Sequence, residues 1–89
     1  MSPDPEINKR TAHALFRLTQ HESIFLSHES GLISENIWLP WNRVLESDLA
    51  IVEFTNVWSR GRLFYAMSFA AHVDRIIANA DKPPESRTA

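Results

Sequence analysis

With 89 residues and no cysteine, this chain is long enough for one small domain and excludes disulfides, thiolate metal sites and cysteine nucleophiles. Its 44% apolar and 22% charged residues are typical of a globular protein, and a net charge of −2 does not indicate nucleic-acid binding. We expect a soluble, cytoplasmic protein. The chain opens without a signal-peptide pattern, and its longest nearly apolar stretch, Leu63 to Ala71, is far shorter than the roughly 20 residues of a membrane span.

Prolines and charged residues near both ends predict flexible tails at residues 1–5 and 81–89, around a single helical domain at residues 6–80. Within the domain, apolar residues recur at intervals of three, four and seven, which predicts a first helix that runs to about His28. This stripe consists of Ile7, Ala14, Leu15, Leu18, Phe25 and Leu26. Gly31 follows as a residue that can take the left-handed conformation just past a helix end.

A second helix is predicted to begin at Ser34, a good N-cap residue, because Glu35 then places a negative charge at the positive end of the helix dipole. Its apolar face consists of Ile37, Trp38, Trp41, Val44 and Leu45. Pro40 lies inside this segment and removes a backbone hydrogen bond, so we expect a kink in the second helix at this residue.

A third helix is expected to be capped by Asp48 or Ser47 and to place Ala50, Phe54, Val57 and Trp58 on one side. The run from Leu49 to Phe54 would also suit a buried strand, since periodicity alone does not separate the two structures. The helical pattern on either side favours a helix.

Gly61 is expected to interrupt the chain before a last helix from Arg62 to Ala80. The apolar face of this helix is broad and consists of Tyr65, Ala66, Phe69, Ala70, Val73, Ile76, Ile77 and Ala80. The sequence therefore predicts an all-α fold, a compact bundle of about four helices.

A second apolar stripe, Phe64, Met67 and Ala71, lies nearly opposite the first on the last helix. A helix that is apolar on two sides is either enclosed in its bundle or exposes one side to a partner. For this stripe, burial within the chain is slightly favoured over exposure to a partner. The functional hypothesis is nevertheless a protein–protein interaction surface, used for a protein partner or for a homodimer.

Arg60 and Arg62 flank Gly61 at the expected start of the last helix, where guanidinium groups and helix N–H groups can hold an anion. We expect instead that both arginines pair with acids of the segment 46–53, because exposed ion pairs are common. A rival function is a small-molecule or anion-binding module. In that case a pocket would be lined by tryptophans, with Trp38, Trp41 and Trp58 as the candidates.

The four histidines do not show the spacing of a metal site. His21 and His28 are separated by about 10 Å along a helix, so they cannot share an ion, and we expect His13, His21 and His28 to lie at the surface. His72 is expected to be partly buried and hydrogen-bonded. Since no glycine-flanked nucleophile and no phosphate-binding glycine loop is present, we predict a non-enzymatic protein that needs no metal and no cofactor.

The order of aromatic residues after the turn at 31–35 resembles the helical domain of uncharacterised bacterial families, over roughly residues 15–77. The residues that carry this likeness are Gly31-Leu32-Ile33-Ser34-Glu35, Trp38, Trp41, Phe54, Trp58, Tyr65, Phe69 and Val73. Many of those proteins carry a membrane helix before the domain, which is not expected here. The resemblance implies an all-helical fold and brings no functional residues with it.

Overall fold

The computed structural model describes residues 5–80, with side chains from Lys9 onward. The predicted tails lie outside these residues, except for Pro5, at which the first helix begins. The elements in chain order are α1 (Pro5–Glu29), α2 (Glu35–Leu49), α3 (Val52–Gly61), a 3-10 turn (Arg62–Phe64) and α4 (Met67–Ala80). No strand occurs in this part of the chain, which confirms the prediction of an all-α bundle of four helices.

The buried face of α1 is narrower than the sequence pattern indicated. Ala14, Leu18, His21 and Phe25, spaced by four, three and four residues, point into the core. Leu15 and Leu26 are exposed. Each directly follows a residue of the buried row and is therefore rotated about 100° away from the core. The sequence pattern therefore predicted the buried side of α1 correctly, but it included two residues, Leu15 and Leu26, that are exposed.

The end of α1 is a turn of the Schellman type, centred on Gly31. The N–H of Gly31 donates to the carbonyl of His28 at 3.0 Å, and the N–H of Leu32 donates to the carbonyl of Ser27 at 2.9 Å. Gly31 has a φ of 77°, in the left-handed region that favours glycine. The predicted role of this glycine is confirmed, and the turn sends α2 back along α1.

The second helix begins directly after Ser34, as predicted, although the Ser34 side chain makes no capping hydrogen bond. It continues past Ser47 and Asp48 to Leu49, so the prediction that one of these two residues caps the third helix was wrong. The N-cap of α3 is Ile51. Asp48 lies inside α2, three residues before this N-cap.

Pro40 lies inside α2, which the hydrogen-bonding pattern assigns as one helix over its whole length. The kink expected at Pro40 stays a prediction. The buried residues of α2 are Trp38, Leu45, Asp48 and Leu49, while Ile37, Trp41 and Val44 lie at the exposed margin of the predicted apolar face.

The chain is interrupted after α3, as Gly61 suggested, but the interruption is longer than expected. A 3-10 turn follows Gly61, Tyr65 is extended, and α4 begins at Met67 instead of Arg62. Tyr65 and Ala66 thus precede the helix to which the sequence assigned them. Among residues 5–80, no helix has the length and apolar character needed to cross a membrane.

The core is centred on Phe69 of α4, whose side chain is fully buried. Its ring contacts those of Phe25, Trp58 and Tyr65 at centroid distances of 5.6, 5.7 and 5.8 Å. Since these rings come from α1, α3 and the turn before α4, one residue joins three parts of the bundle. Aromatic pairs at such distances add about 0.5–1.5 kcal/mol each to the effect of burial.

We predict that Phe69→Ala lowers the free energy of unfolding by about 3–5 kcal/mol, because it removes a buried ring and leaves a cavity. Urea denaturation followed by circular dichroism measures the change. The matched control is Phe16→Ala, since the Phe16 ring on α1 is 63% exposed. Its expected effect is below about 1 kcal/mol. Equal losses in the two variants would contradict the central position of Phe69.

Candidate functional site

An exposed apolar patch occupies the connection between α3 and α4. Leu63, Phe64 and Met67 are 85%, 90% and 89% exposed, and Ala71 lies one helical turn beyond Met67 with its side chain also in solvent. We call these four residues the turn patch. Phe64, Met67 and Ala71 were singled out from the sequence, whereas Leu63 was not. Helical periodicity gave no signal for Leu63, because this residue lies in the 3-10 turn and not in α4.

A polar network connects the segment that carries the turn patch to α3 and α4. The indole N–H of Trp58 in α3 donates to Oδ1 of Asp74 in α4 at 2.9 Å. Arg62, in the 3-10 turn, forms an ion pair with Oδ2 of the same carboxylate. One carboxylate therefore connects the two helices and the turn between them, and it fixes the orientation of the segment that carries Leu63 and Phe64.

A second contact holds the other end of this connection against α1. The backbone N–H of Ala66 donates to Oε2 of Glu22 at 2.7 Å, one residue before α4 begins. The ring of Tyr65 lies on that of Trp58 at a centroid distance of 5.2 Å. Burial raises the pKa of the Tyr65 hydroxyl above its ordinary value of 10.0. The phenol therefore stays uncharged at neutral pH, which suits its position beside the core.

Beside the turn patch, a cleft of about 320 Å³ opens between the turn and α4. Leu63, Met67 and Ala71 line it, together with the Arg62–Asp74 ion pair. Phe64 does not line the cleft but lies next to it along the chain. The patch is thus a shallow apolar depression with one prominent aromatic ring at its side.

Arg60 and Arg62, the candidates for an anion site, lie before the last helix. Arg60 is in the last turn of α3 and Arg62 begins the 3-10 turn, so neither stands at the start of α4. The expectation that both pair with acids of the segment 46–53 was wrong for Arg62, whose partner is Asp74. Arg60 lines a different, smaller cleft that it shares with Glu53. The two arginines thus line different clefts, and anion binding by the pair stays a prediction.

The structure does not bring the three tryptophans together as a pocket. Trp38 and Trp58 are buried in the core, and Trp41 lies at the surface with its ring at 76° to that of His21. No tryptophan lines any of the four main clefts among residues 9–80, which have volumes of about 140 to 530 Å³.

His21 is buried, so the prediction that it lies at the surface was wrong. Its Nε2 lies 2.8 Å from Oδ2 of Asp48, and Arg17 holds the same carboxylate through Nε and one terminal nitrogen at 2.9–3.1 Å. The sequence carried a signal for this network. Asp48 follows Leu45 by three residues on the buried face of α2, where a carboxylate requires a partner.

The other histidines make specific contacts. His72 is half-buried and hydrogen-bonded to Oδ1 of Asn42 at 2.7 Å, as predicted, and burial together with the nearby Arg75 lowers its pKa below 6.5. His28 stacks on the ring of Trp38 at 4.6 Å and pairs with Glu35. Among the residues that the structure describes, no three side chains of the types that hold metal ions come together.

The chain matches no protein-family model, no curated protein and no solved structure. The resemblance to the helical domain of uncharacterised bacterial families therefore stays a prediction. What the protein does has to be inferred from the surfaces and contacts described above.

The Asp74 carboxyl offers a direct test of the network under the turn patch. Hydrogen bonds from Arg62 and then from Trp58 hold the pKa of Asp74 below its ordinary value of 3.8. A lowered pKa means that this carboxylate stabilises the fold above about pH 3.8, and that the contribution is lost as the pH falls through the lower folded value.

We predict that a carbon-detected NMR titration places the midpoint of Asp74 below pH 3.8. Arg62→Gln should move this midpoint upward, because it removes the hydrogen bond that lowers the pKa of Asp74 most. Arg60→Gln is the matched control and should leave the midpoint in place. A midpoint that is the same in all three proteins would show that Arg62 does not bind Asp74 in solution.

Proposed function

We propose that this chain is a small, non-enzymatic protein–protein interaction module of the adaptor, inhibitor or accessory type, and that it acts as a homodimer through the turn patch. The observation that carries the proposal is the exposure of Leu63, Phe64 and Met67 next to each other in a connection that is otherwise firmly held. A mobile loop can hide its apolar side chains by collapse. This turn is held by Asp74 and Glu22, so its apolar side chains stay exposed to solvent.

The size of the turn patch supports an interaction. Three large apolar side chains that are nearly fully exposed offer roughly 500 Å², which is the size at which patches on monomers are often functional. Two such patches facing each other would bury about 1,000 Å² in total, close to the lower limit for a specific interface. We therefore expect a dimer of modest affinity.

The charges next to the patch favour a second copy of the chain as the partner. Arg62 and Asp74 neutralise each other inside the adjoining cleft. In a twofold dimer each patch faces the same patch of the other subunit. A patch with a net positive or net negative charge would therefore repel its copy. A locally neutral, apolar patch does not encounter this repulsion. Ala71 adds a small side chain on α4 that allows the two helices to approach closely.

In this proposal the energy of association comes from removing apolar surface from water, with Phe64 as the main contact residue. The mechanism uses no cofactor, metal ion or catalytic residue. The protein partner is the same chain, and we propose that the module works in the cytoplasm.

We predict that Phe64→Glu abolishes the dimer, because it places a charge at the centre of an apolar interface. Light scattering after size-exclusion chromatography, over a range of concentrations, should give a parent mass that rises from 10.2 kDa toward twice that value. The variant should stay at the lower mass. Phe16→Glu, at an exposed ring on α1, is the control and should dimerise like the parent.

Circular dichroism establishes that each variant is folded before its mass is interpreted. A parent that stays monomeric at every concentration would contradict the homodimer. A dimer that persists in Phe64→Glu would show that the chain associates through another surface.

A further inference from the structure

Met67 is the residue of the turn patch that a mild oxidant can change. Leucine, phenylalanine and alanine side chains are hydrocarbons and stay inert, whereas a thioether sulfur accepts an oxygen atom from peroxides. The chain has no cysteine and two methionines, and the other methionine, Met1, lies outside the described residues. Among residues 5–80, Met67 therefore carries the only sulfur atom, and this atom lies inside the proposed interface.

The Met67 side chain is open to an oxidant in the monomer. The residue is 89% exposed and is the first residue of α4. Methionine oxidation depends on exposure, because the oxidant has to reach the sulfur atom. In the proposed dimer the same side chain is covered by the other subunit. The monomer and the dimer should therefore differ in the rate at which Met67 is oxidised.

The Met67 side chain contributes little to the fold. It is not part of the core, and both neighbours of Met67 in the chain are attached to α1 by carboxylates. The N–H of Ala66 donates to Oε2 of Glu22 at 2.7 Å, and Oγ of Ser68 donates to Oε1 of Glu29 at 3.0 Å. Oxidation of an exposed sulfur leaves these contacts in place. We therefore expect it to change the surface of the protein and not its fold.

A methionine sulfoxide does not suit an apolar interface. Its oxygen accepts hydrogen bonds from water in the monomer and loses them on burial. The side chains of Leu63, Phe64 and Ala71 carry no hydrogen-bond donor. In a twofold dimer the facing patch consists of the same residues, so it offers no donor either. The unfavourable effect counts twice, because each subunit contributes one Met67.

We propose that Met67 is a site of reversible oxidation by hydrogen peroxide, and that its sulfoxide separates the dimer into monomers. This inference rests on the proposed function of the turn patch as a homodimer interface. In the reaction a lone pair of Sδ attacks one oxygen of peroxide, and the O–O bond breaks. The leaving hydroxide takes the proton of the new S–OH group and becomes water, so sulfur loses two electrons and peroxide gains them. Two thiols of a methionine sulfoxide reductase system return these electrons and release the oxygen as water.

The first measurement is the rate of oxidation of Met67 in the two association states. Light scattering locates the dimerisation midpoint of the unoxidised, full-length protein. The protein is then treated with hydrogen peroxide tenfold below and tenfold above this concentration, and peptide mass spectrometry follows the sulfoxide at Met67. We expect oxidation to be about fourfold slower at the higher concentration, because most chains are then dimeric. A short methionine peptide in the same sample is the control and should be oxidised equally fast at both concentrations.

The second measurement is the dimerisation of the oxidised protein. Oxidation should raise the midpoint concentration at least tenfold with an unchanged circular dichroism spectrum, and treatment with methionine sulfoxide reductases should restore it. Met67→Leu is the matched variant, because leucine is apolar and has no sulfur. Whatever the midpoint of this variant is, treatment with peroxide should not change it. Met67→Gln, with a polar side chain of similar length, should raise the midpoint without an oxidant.

The results distinguish a failure of this inference from a failure of the function on which it rests. An unoxidised parent that is monomeric at every concentration contradicts the homodimer, and the inference with it. A parent that dimerises equally well before and after oxidation of Met67 leaves the homodimer in place and overturns the inference alone. An equal shift of the midpoint in Met67→Leu would assign the effect of peroxide to another residue. A sulfoxide form that unfolds would show damage to the protein instead of control of the interface.

Discussion

The indole N–H of Trp58 is the group on which the arrangement of the second half of the chain depends. The Trp58 side chain is 98% buried, given its exposed fraction of 2%, and its one donor would cost about 1–3 kcal/mol if it were left without an acceptor. Asp74 supplies that acceptor from α4. Arg62 in the turn pairs with the same carboxylate, whose side chain is 42% exposed. One buried ring is thus connected through a single carboxylate to α4 and to the turn before it.

The exposed patch follows from this constraint. Once Trp58, Tyr65 and Phe69 have packed against one another, the short connection between them has no room left in the core for Leu63 and Phe64. These side chains are directed outward by the same contacts that hold the turn. The proposed interface therefore adds no strain to the fold, and its residues could be changed with little effect on stability.

Local signals in the sequence were sufficient to predict that four helices form and that the chain turns at Gly31. Helical periodicity and the tolerance of glycine for the left-handed conformation both depend on only a few neighbouring residues. They also drew attention to Phe64 and Met67, since these residues fall outside the main apolar face of the last helix as it was predicted from Arg62 to Ala80. Local signals failed where a partner lay far away along the chain. Asp48 was taken for a cap although Arg17, 31 positions earlier, binds it, and His21 was taken for a surface residue although it shares that carboxylate. The start of α4 was misplaced because Glu22 holds the backbone of Ala66, a pairing that no periodicity reveals.

The claim that Trp58, Asp74 and Arg62 hold the turn is tested most directly by hydrogen exchange of the Trp58 indole N–H, followed by NMR in the parent and in Asp74→Ala. The account predicts slow exchange in the parent and exchange at least tenfold faster in the variant, with the backbone N–H of Tyr65, which donates to the carbonyl of Arg62, losing protection at the same time. An indole N–H that exchanges as fast as that of a solvent-exposed tryptophan in the parent, or equally slowly in both proteins, would contradict it.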